Sequence, residues 1–452
     1  MNKCFLTGAR NMSTRSIFSI EEVYQSVKDE KGLTGSHLGV PGNSKGCGGI
    51  IDIALMIPES AVLFVAPLGC ARHVTTHSWQ RDGRVFALAL DEAEVVTGAH
   101  LNTIEQAILE IYNDCRNKPK LLTICGSCID RLMASDFEMV AERLYGQMPG
   151  RILVIWMDPV VGRKEHCQVR CWDKVYSMWK TGKKKNLSIN LIGRLHPPAQ
   201  NSELPQLLKK AGVENVKHIA ECETLNEFYE MGNASLNILG SNLGEKAAKK
   251  LQKTKGIPYI KCQPTLSVEK VYNMYRQLED ILKIKICDEE IYRFTKKEVE
   301  RFKKERKNNP VHMAIGEAYA SHEDAFSMAK EIAELGISVD WIYSDGKFNG
   351  KSEQITWLYE NQKNAKVLLL SHPGSRKMML DPPEVDVAWG MNEKWFLKKK
   401  NNHWIDVESR PIDCDYASIL WFINAVDNEV EKQEREMQKI ASYGKGGIGK
   451  AT

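Results

Sequence analysis

Short apolar runs alternate along this chain with longer stretches whose apolar residues recur at a helical period. The first kind has the length and composition of a buried β-strand, the second the pattern of an amphipathic helix. Strand-like runs fall at Ala61–Pro67, Lys120–Thr123, Arg151–Trp156, Leu187–Ile192, Val216–Ile219, Pro258–Ile260, Val311–Ile315, Ser338–Ile342 and Ala365–Leu370. Helical stretches lie between them at Leu101–Cys115, Asp136–Leu144, Leu204–Ala211 and Glu323–Leu335. In the last of these, Ala325, Met328, Ala329, Ile332 and Leu335 share one face. Strands that alternate with helices predict an α/β fold with mostly parallel, doubly wound sheets.

Breaks in the pattern divide the chain. Lys180–Asn186 is a short basic linker containing a glycine, and Lys296–Asn309 is a charge-dense stretch that stops at Pro310. The predicted organisation is an N-terminal extension (1–39) followed by three α/β domains (40–180, 187–295 and 310–412). A C-terminal helix (413–438) starts apolar at Ile419–Ile423 and becomes charged through Glu429–Met437. The remaining tail, 439–452, is expected to be disordered. A chain of 452 residues is long enough for such a multidomain arrangement.

Charge narrows the picture little. A net charge of +4 in a chain that is 27% charged is too weak a bias to indicate nucleic acid or a membrane surface as partner. The longest clean apolar run, near Ala61–Leu68, is well short of the ~20 residues of a membrane-spanning helix. The N-terminus lacks an apolar stretch long enough for a secretory signal, so a cytoplasmic location is expected. That compartment keeps thiols reduced, and the 12 cysteines are therefore expected not to form disulfides. Cys4, Cys115, Cys222, Cys262, Cys287 and Cys414 read as structural.

Three cysteines stand where backbone chemistry favours metal ligation. Cys47 lies in the Gly-dense loop Pro41-Gly-Asn-Ser-Lys-Gly-Cys-Gly-Gly49, at the entry to an apolar helix. Cys70 follows a strand that turns through Pro67 and Gly69. Cys128 follows another strand and precedes a helix. Loops after parallel strands gather at the carboxyl edge of the sheet, where open α/β folds bind ligands. A helix N-terminus stabilises the thiolate that ligates metal, and glycines let the backbone approach a bulky inorganic core. Cys125-x-x-Cys128 on its own also fits a redox pair or half a zinc site, with Cys167-x-x-x-Cys171 and His166 as a possible second half.

The spacing of Cys47, Cys70 and Cys128 resembles that of α-type subunits in the nitrogenase component 1 superfamily. Other segments carry the same resemblance in the same order. Pro67-Leu-Gly-Cys70 is similar to the family's Pro-x-Gly-Cys loop, and Asp91–Ala99 to an acidic strand-and-turn before a long helix. Asp136 matches the acidic residue that follows the third ligand. Asn190–Gly193, Glu203–Gly212, Gly256–Pro258 and Val385–Trp395 resemble segments of the second and third domains. The resemblance spans roughly residues 35–430 and implies three doubly wound domains.

It also implies an oxidoreductase subunit that works anaerobically and holds an iron–sulfur cluster through Cys47, Cys70 and Cys128. The cluster would be [4Fe–4S] or the eight-iron P-cluster type. An ATP-dependent iron protein would pass electrons to it, and a homologous β-type subunit or a second copy would complete the site. Cys125, Cys167 and Cys171 are possible additional ligands, and a second metallocofactor is left open. Nitrogenase's own cofactor anchors are not found. Met231–Asn237 has no cysteine where one would stand, and Glu408 falls where a histidine is expected after His403. The expected substrate is therefore not dinitrogen but a small molecule or tetrapyrrole, with His73, His77 and His166 as candidate proton carriers. A non-catalytic scaffold for metallocluster assembly is the alternative. Lys439–Thr452 resembles the start of the iron protein: Gly444, Gly449 and Lys450 fit a phosphate loop, but Ala451 takes the place of the Mg²⁺-binding hydroxyl. The tail reads as a remnant of fusion with an iron-protein gene.

Overall fold

A computed structural model describes residues 15–30, 33, 49–70, 83–114, 118–158, 165–182, 187–198, 202–316, 324–346, 348, 350–376, 383–390, 403–405, 410 and 412–445, without the side chains of 434 and 436–445. Fourteen strands lie among these residues: β1 (Ile17–Ser19), β2 (Ser60–Pro67), β3 (Val85–Leu90), β4 (Leu121–Ser127), β5 (Arg151–Met157), β6 (Ser188–Ile192), β7 (Asn215–His218), β8 (Leu236–Leu239), β9 (Tyr259–Lys261), β10 (His312–Ile315), β11 (Ser338–Ser344), β12 (Lys366–Leu369), β13 (Val387–Trp389) and β14 (His403–Ile405). They form three sheets, ordered β3-β2-β4-β5, β7-β6-β8-β9 and β1-β12-β11-β10-β13-β14. Every pairing is parallel except that of β1 with β12. The α/β class with mostly parallel sheets is thus the observed one. β1 leads into helix α1 (Ile20–Lys28), which Ser19 and Glu22 close with a capping box.

The first two sheets belong to one compact unit, Lys45–Cys262 with Gln277–Ile286, and the third to another. In the first unit, parallel strands covered on both faces need apolar residues at nearly every position. β2 is buried along its length except at Pro67, and β4 throughout. The two faces then sort by alternation. Ala61, Leu63 and Val65 pack in one core with Ile104, Ile108 and Phe137, and Val62, Phe64 and Ala66 in the other with Ile50, Ile53 and Trp172.

The helices around this sheet are α2 (Ile50–Leu55), α3 (Glu92–Thr97), α4 (His100–Asp114), α5 (Cys128–Leu132), α6 (Phe137–Arg143) and α7 (Cys167–Ser177). Asp91–Ala99 differs from the expected strand-and-turn. The strand is β3, and Asp91 is the N-cap of α3, its carboxylate accepting from the Ala93 N–H at 2.8 Å. A cap competes well for this role because it satisfies an amide that the helix leaves unpaired. Helix α8 (Tyr416–Lys445) runs past the end set by the apolar pattern, and residues 446–452 lie outside the described residues. No helix among the described residues is long and apolar enough to cross a membrane. Cys222, Cys262 and Cys414 are buried, as structural thiols should be. Cys287 is exposed instead, in the connection between two helices where its neighbours Ile286 and Asp288 take the buried positions.

Candidate metal centre

In the sheet β3-β2-β4-β5 the chain lays β3 on one side of β2, then crosses to place β4 on the other. The gap between the carboxyl ends of β2 and β4 is therefore a topological switch point, the usual crevice of open α/β sheets. Register aligns the two tips, with Val65 opposite Gly126. Cys70 follows the end of β2 and Cys128 is the first residue after β4, so the switch point receives both thiols. Each is partly exposed. Burial raises the Cys70 thiol above its ordinary range, and the neighbouring Cys128 and Asp130 raise it further. Burial and its neighbours thus disfavour a bare thiolate at Cys70, a cost that a metal cation bound there would relieve.

Cys128 occupies the first turn of α5, with Ser127 as N-cap. The Asp130 carboxylate accepts from the Ser127 N–H at 3.0 Å and from the Ser127 hydroxyl at 2.6 Å. Asp130 is fully buried, and burial raises its pKa against the lowering effect of those hydrogen bonds. Gly126, just before, is required sterically. A Cβ there would stand 2.6 Å from the Trp156 ring and 2.7 Å from that of Phe137, two rings stacked at 4.9 Å. Asp158, at the tip of β5, is also fully buried. It pairs with Arg170 and lies 3.7 Å from Arg131 of α5, whose guanidinium covers Trp156.

Cys47, His73 and His77 lie outside the described residues. Gly49, close after Cys47 in sequence, is the N-cap of α2 with φ +83°, and a Cβ on it would come within 2.9 Å of Gln168 on α7. Cys125 is not at the edge. It is fully buried within β4, because the strand continues beyond Thr123 to Ser127. Burial pushes its thiol well above the usual range, with Cys171 of α7 adding to the effect, and burial raises Cys171 likewise. Neither has the character of a ready thiolate. Cys167 opens α7 and is disulfide-bonded, with none of the eight other described cysteines as its partner. The expectation of fully reduced thiols fails at this residue. His166 caps α7, its Nδ1 accepting from the Gln168 N–H at 3.3 Å. Among the described residues, no group of three or more His, Cys, Asp or Glu is arranged to hold a metal ion.

Elsewhere, Asp136 caps α6, accepting from the Met139 N–H. Met231–Asn237 forms a 3₁₀ turn and the start of β8, at the amino end of its sheet, while the carboxyl tip of β8 reads Gly240-Ser241. His403 pairs with Glu429 of α8 at 3.0 Å, and Glu408 lies outside the described residues. Sequence reasoning missed Asp130, although Ser127-x-x-Asp130 is a capping-box pattern visible in the sequence.

Comparison with known proteins bears on the family and the fold. A family model described as nitrogenase component 1 type oxidoreductase matches residues 47–402. No curated protein matches the chain. Among solved structures it is similar to nitrogenase Cp1 at pH 6.5, with TM-score 0.69 and 14% identity over 89% of this chain and 95% of that one. It is also similar to nitrogenase Cp1 at pH 5, with TM-score 0.59 and 14% identity over 96% and 97% of the respective chains. At that identity the likeness is one of fold.

Proposed function

Because the chain belongs to the nitrogenase component 1 type oxidoreductases, we propose that it is the cluster-bearing subunit of a two-component reductase. In this reading Cys47, Cys70 and Cys128 hold an iron–sulfur cluster, [4Fe–4S] or of the eight-iron type, and an ATP-dependent iron protein is the electron donor. The observation that carries it is the pair of partly exposed thiols, Cys70 and Cys128, delivered to one switch point by adjacent parallel strands. A bound cluster would supply one-electron carrier chemistry there.

The chain's own residues would do the rest. The tips of β2 and β4 hold the thiols in register, and Gly126 lets Trp156 and Phe137 close beneath them. Exposed apolar side chains lie close in sequence to the thiols: Leu68 and Leu132 are 70% and 68% exposed, Met133 50% and Ile129 38%. Exposed apolar residues on both sides of the switch point would suit a protein partner, here a β-type subunit or a second copy of the chain. Cys167 would become available as a further ligand once its disulfide is reduced. His73, His77 and His166 would carry protons to a substrate other than dinitrogen, a small molecule or tetrapyrrole. The chain has no cysteine at Met231–Asn237 or at the Gly240-Ser241 tip, and the same observation supports a second reading, a scaffold that assembles or stores a cluster.

Anaerobic purification tests the proposal. The protein should be brown and hold several irons per chain, and colourless protein with stoichiometric zinc would sink both readings. Cys47→Ala, Cys70→Ala and Cys128→Ala should each lose that iron, whereas Cys222→Ala should keep it. ATP-dependent turnover with an iron protein would favour the reductase, and cluster transfer to an acceptor apoprotein the scaffold.

A further inference from the structure

We infer that Asp130 is a positioning residue of this centre: it locks the turn through which β4 delivers Cys128, so that this thiol and Cys70 are presented together. The inference rests on the cluster reading above.

Helix α5 spans only five residues, Cys128–Leu132, far below the length at which a helix holds itself together. Its first turn must be fixed by side chains. Asp130 does so from both ends. Its carboxylate gathers the Ser127 N–H and hydroxyl, and its backbone carbonyl accepts from the Ser135 N–H at 2.9 Å. Cys128 is therefore enclosed in a loop of hydrogen bonds that leaves its backbone little freedom.

The burial of this carboxylate is costly and needs a reason. Asp158 nearby has Arg170 and Arg131 against it, whereas no salt bridge to Asp130 exists among the described residues. Among the described residues its second oxygen, Oδ1, has no hydrogen-bond partner. An ordinary exposed cap would serve α5 without that cost, as Asp136 serves α6. The side chains that feel Asp130 are Cys70 and Cys125, and on its other side the buried His100, whose Nε2 meets the Ser135 hydroxyl at 2.8 Å. Asp130 thus stands behind the thiol edge and ties it to α4.

The test uses the full chain, reconstituted anaerobically with ferrous iron and sulfide. Asp130→Ala should hold iron about tenfold less tightly against a chelator, the usual cost of losing a supporting partner of a metal ligand, and should broaden the electron paramagnetic resonance signal. Asp130→Asn keeps an acceptor for both Ser127 donors and should restore iron and line shape. Wild-type iron retention and line shape in Asp130→Ala would overturn the inference. If Asp130→Ala does not fold, Ser127→Ala decides, since it removes only the hydroxyl bond; an unaltered signal there would also overturn it. The metal-free chain separates this idea from the cluster reading. Asp130→Ala should change the ratio of Cys128 to Cys70 alkylation rates by about twofold or more. An unchanged ratio defeats the positioning role whether or not iron binds, while a wild-type chain that takes up no iron defeats only the cluster reading.

Discussion

Cys125 and Cys128 stand three positions apart in one motif, yet β4 gives them different chemistry. Cys125 points into the core with its thiol pushed well above the usual range by burial, and Cys128 sits at the strand tip with partial exposure. Alkylation of the metal-free native chain at pH 8 should therefore modify Cys70 and Cys128 and spare Cys125 and Cys171 until the protein unfolds, as read by peptide mass spectrometry. Rapid native labelling of Cys125 would contradict its place in the core. His218 offers a second residue-level test. Burial lowers its pKa from the usual 6.5 to about 4. Its Nε2 meets the Arg194 carbonyl at 3.0 Å and its Nδ1 accepts from the Ala220 N–H at 3.2 Å, so only the neutral ring satisfies both. The unfolded chain binds the proton first on acidification. The stability that neutral His218 contributes is complete above pH 6.5 and lost as pH falls toward about 4. That amounts to on the order of 3 kcal/mol, which a His218→Asn variant with flattened acid denaturation would reveal.

At the scale of elements, the hand-over from β4 to α5 depends on Gly126. A valine there would drive its side chain into the Trp156 and Phe137 rings. Gly126→Val should cost about 1–3 kcal/mol of stability and lower the thermal midpoint, with loss of iron following from the displaced Cys128 turn. A variant with unchanged midpoint would show that the rings yield freely. Most elements of this region were legible in the sequence because strands buried on both faces write themselves as apolar runs: β2, β4, β5 and β6 all overlap the expected stretches, although β4 continues past its own to Ser127. The misses have physical causes. In β8, Asn237 interrupts the run, but its side chain pairs across the sheet with Asn190 at 2.9 Å, a contact no local pattern displays. β3 is an edge strand with partly exposed positions and merges in sequence with the acidic start of α3. β1, β13 and β14 have three residues each, too few for a period to show. The candidate site was legible as cysteines after strands, since connectivity alone sends such residues to the carboxyl edge. Which of them face the core, and that Asp130 is buried beside them, depends on strand length and packing.

For the whole molecule, the decisive feature is that the thiol edge is bordered by apolar surface. Leu68 precedes Cys70, and Ile129, Leu132 and Met133 follow Cys128, so a partner seated on these side chains is expected to cover the thiols as well. Glutamate at an exposed position changes folding stability by only about 0.5 kcal/mol. The same charge at the centre of a buried interface costs about 2 kcal/mol or more, some 30-fold in dissociation constant. Leu132→Glu should consequently leave the circular dichroism and thermal midpoint of the isolated chain intact, yet shift its assembly toward smaller species in sedimentation velocity. If the partner is a second copy, the effect appears with the pure chain; if it is a different subunit, it appears only when that subunit is present. If the cluster is shared as proposed, iron content should fall alongside assembly, because the ligands or the cover that the partner supplies would be lost. Leu132→Glu that assembles normally and retains full iron would show that this face is open in the working complex, and would move the subunit contact away from the cysteine edge.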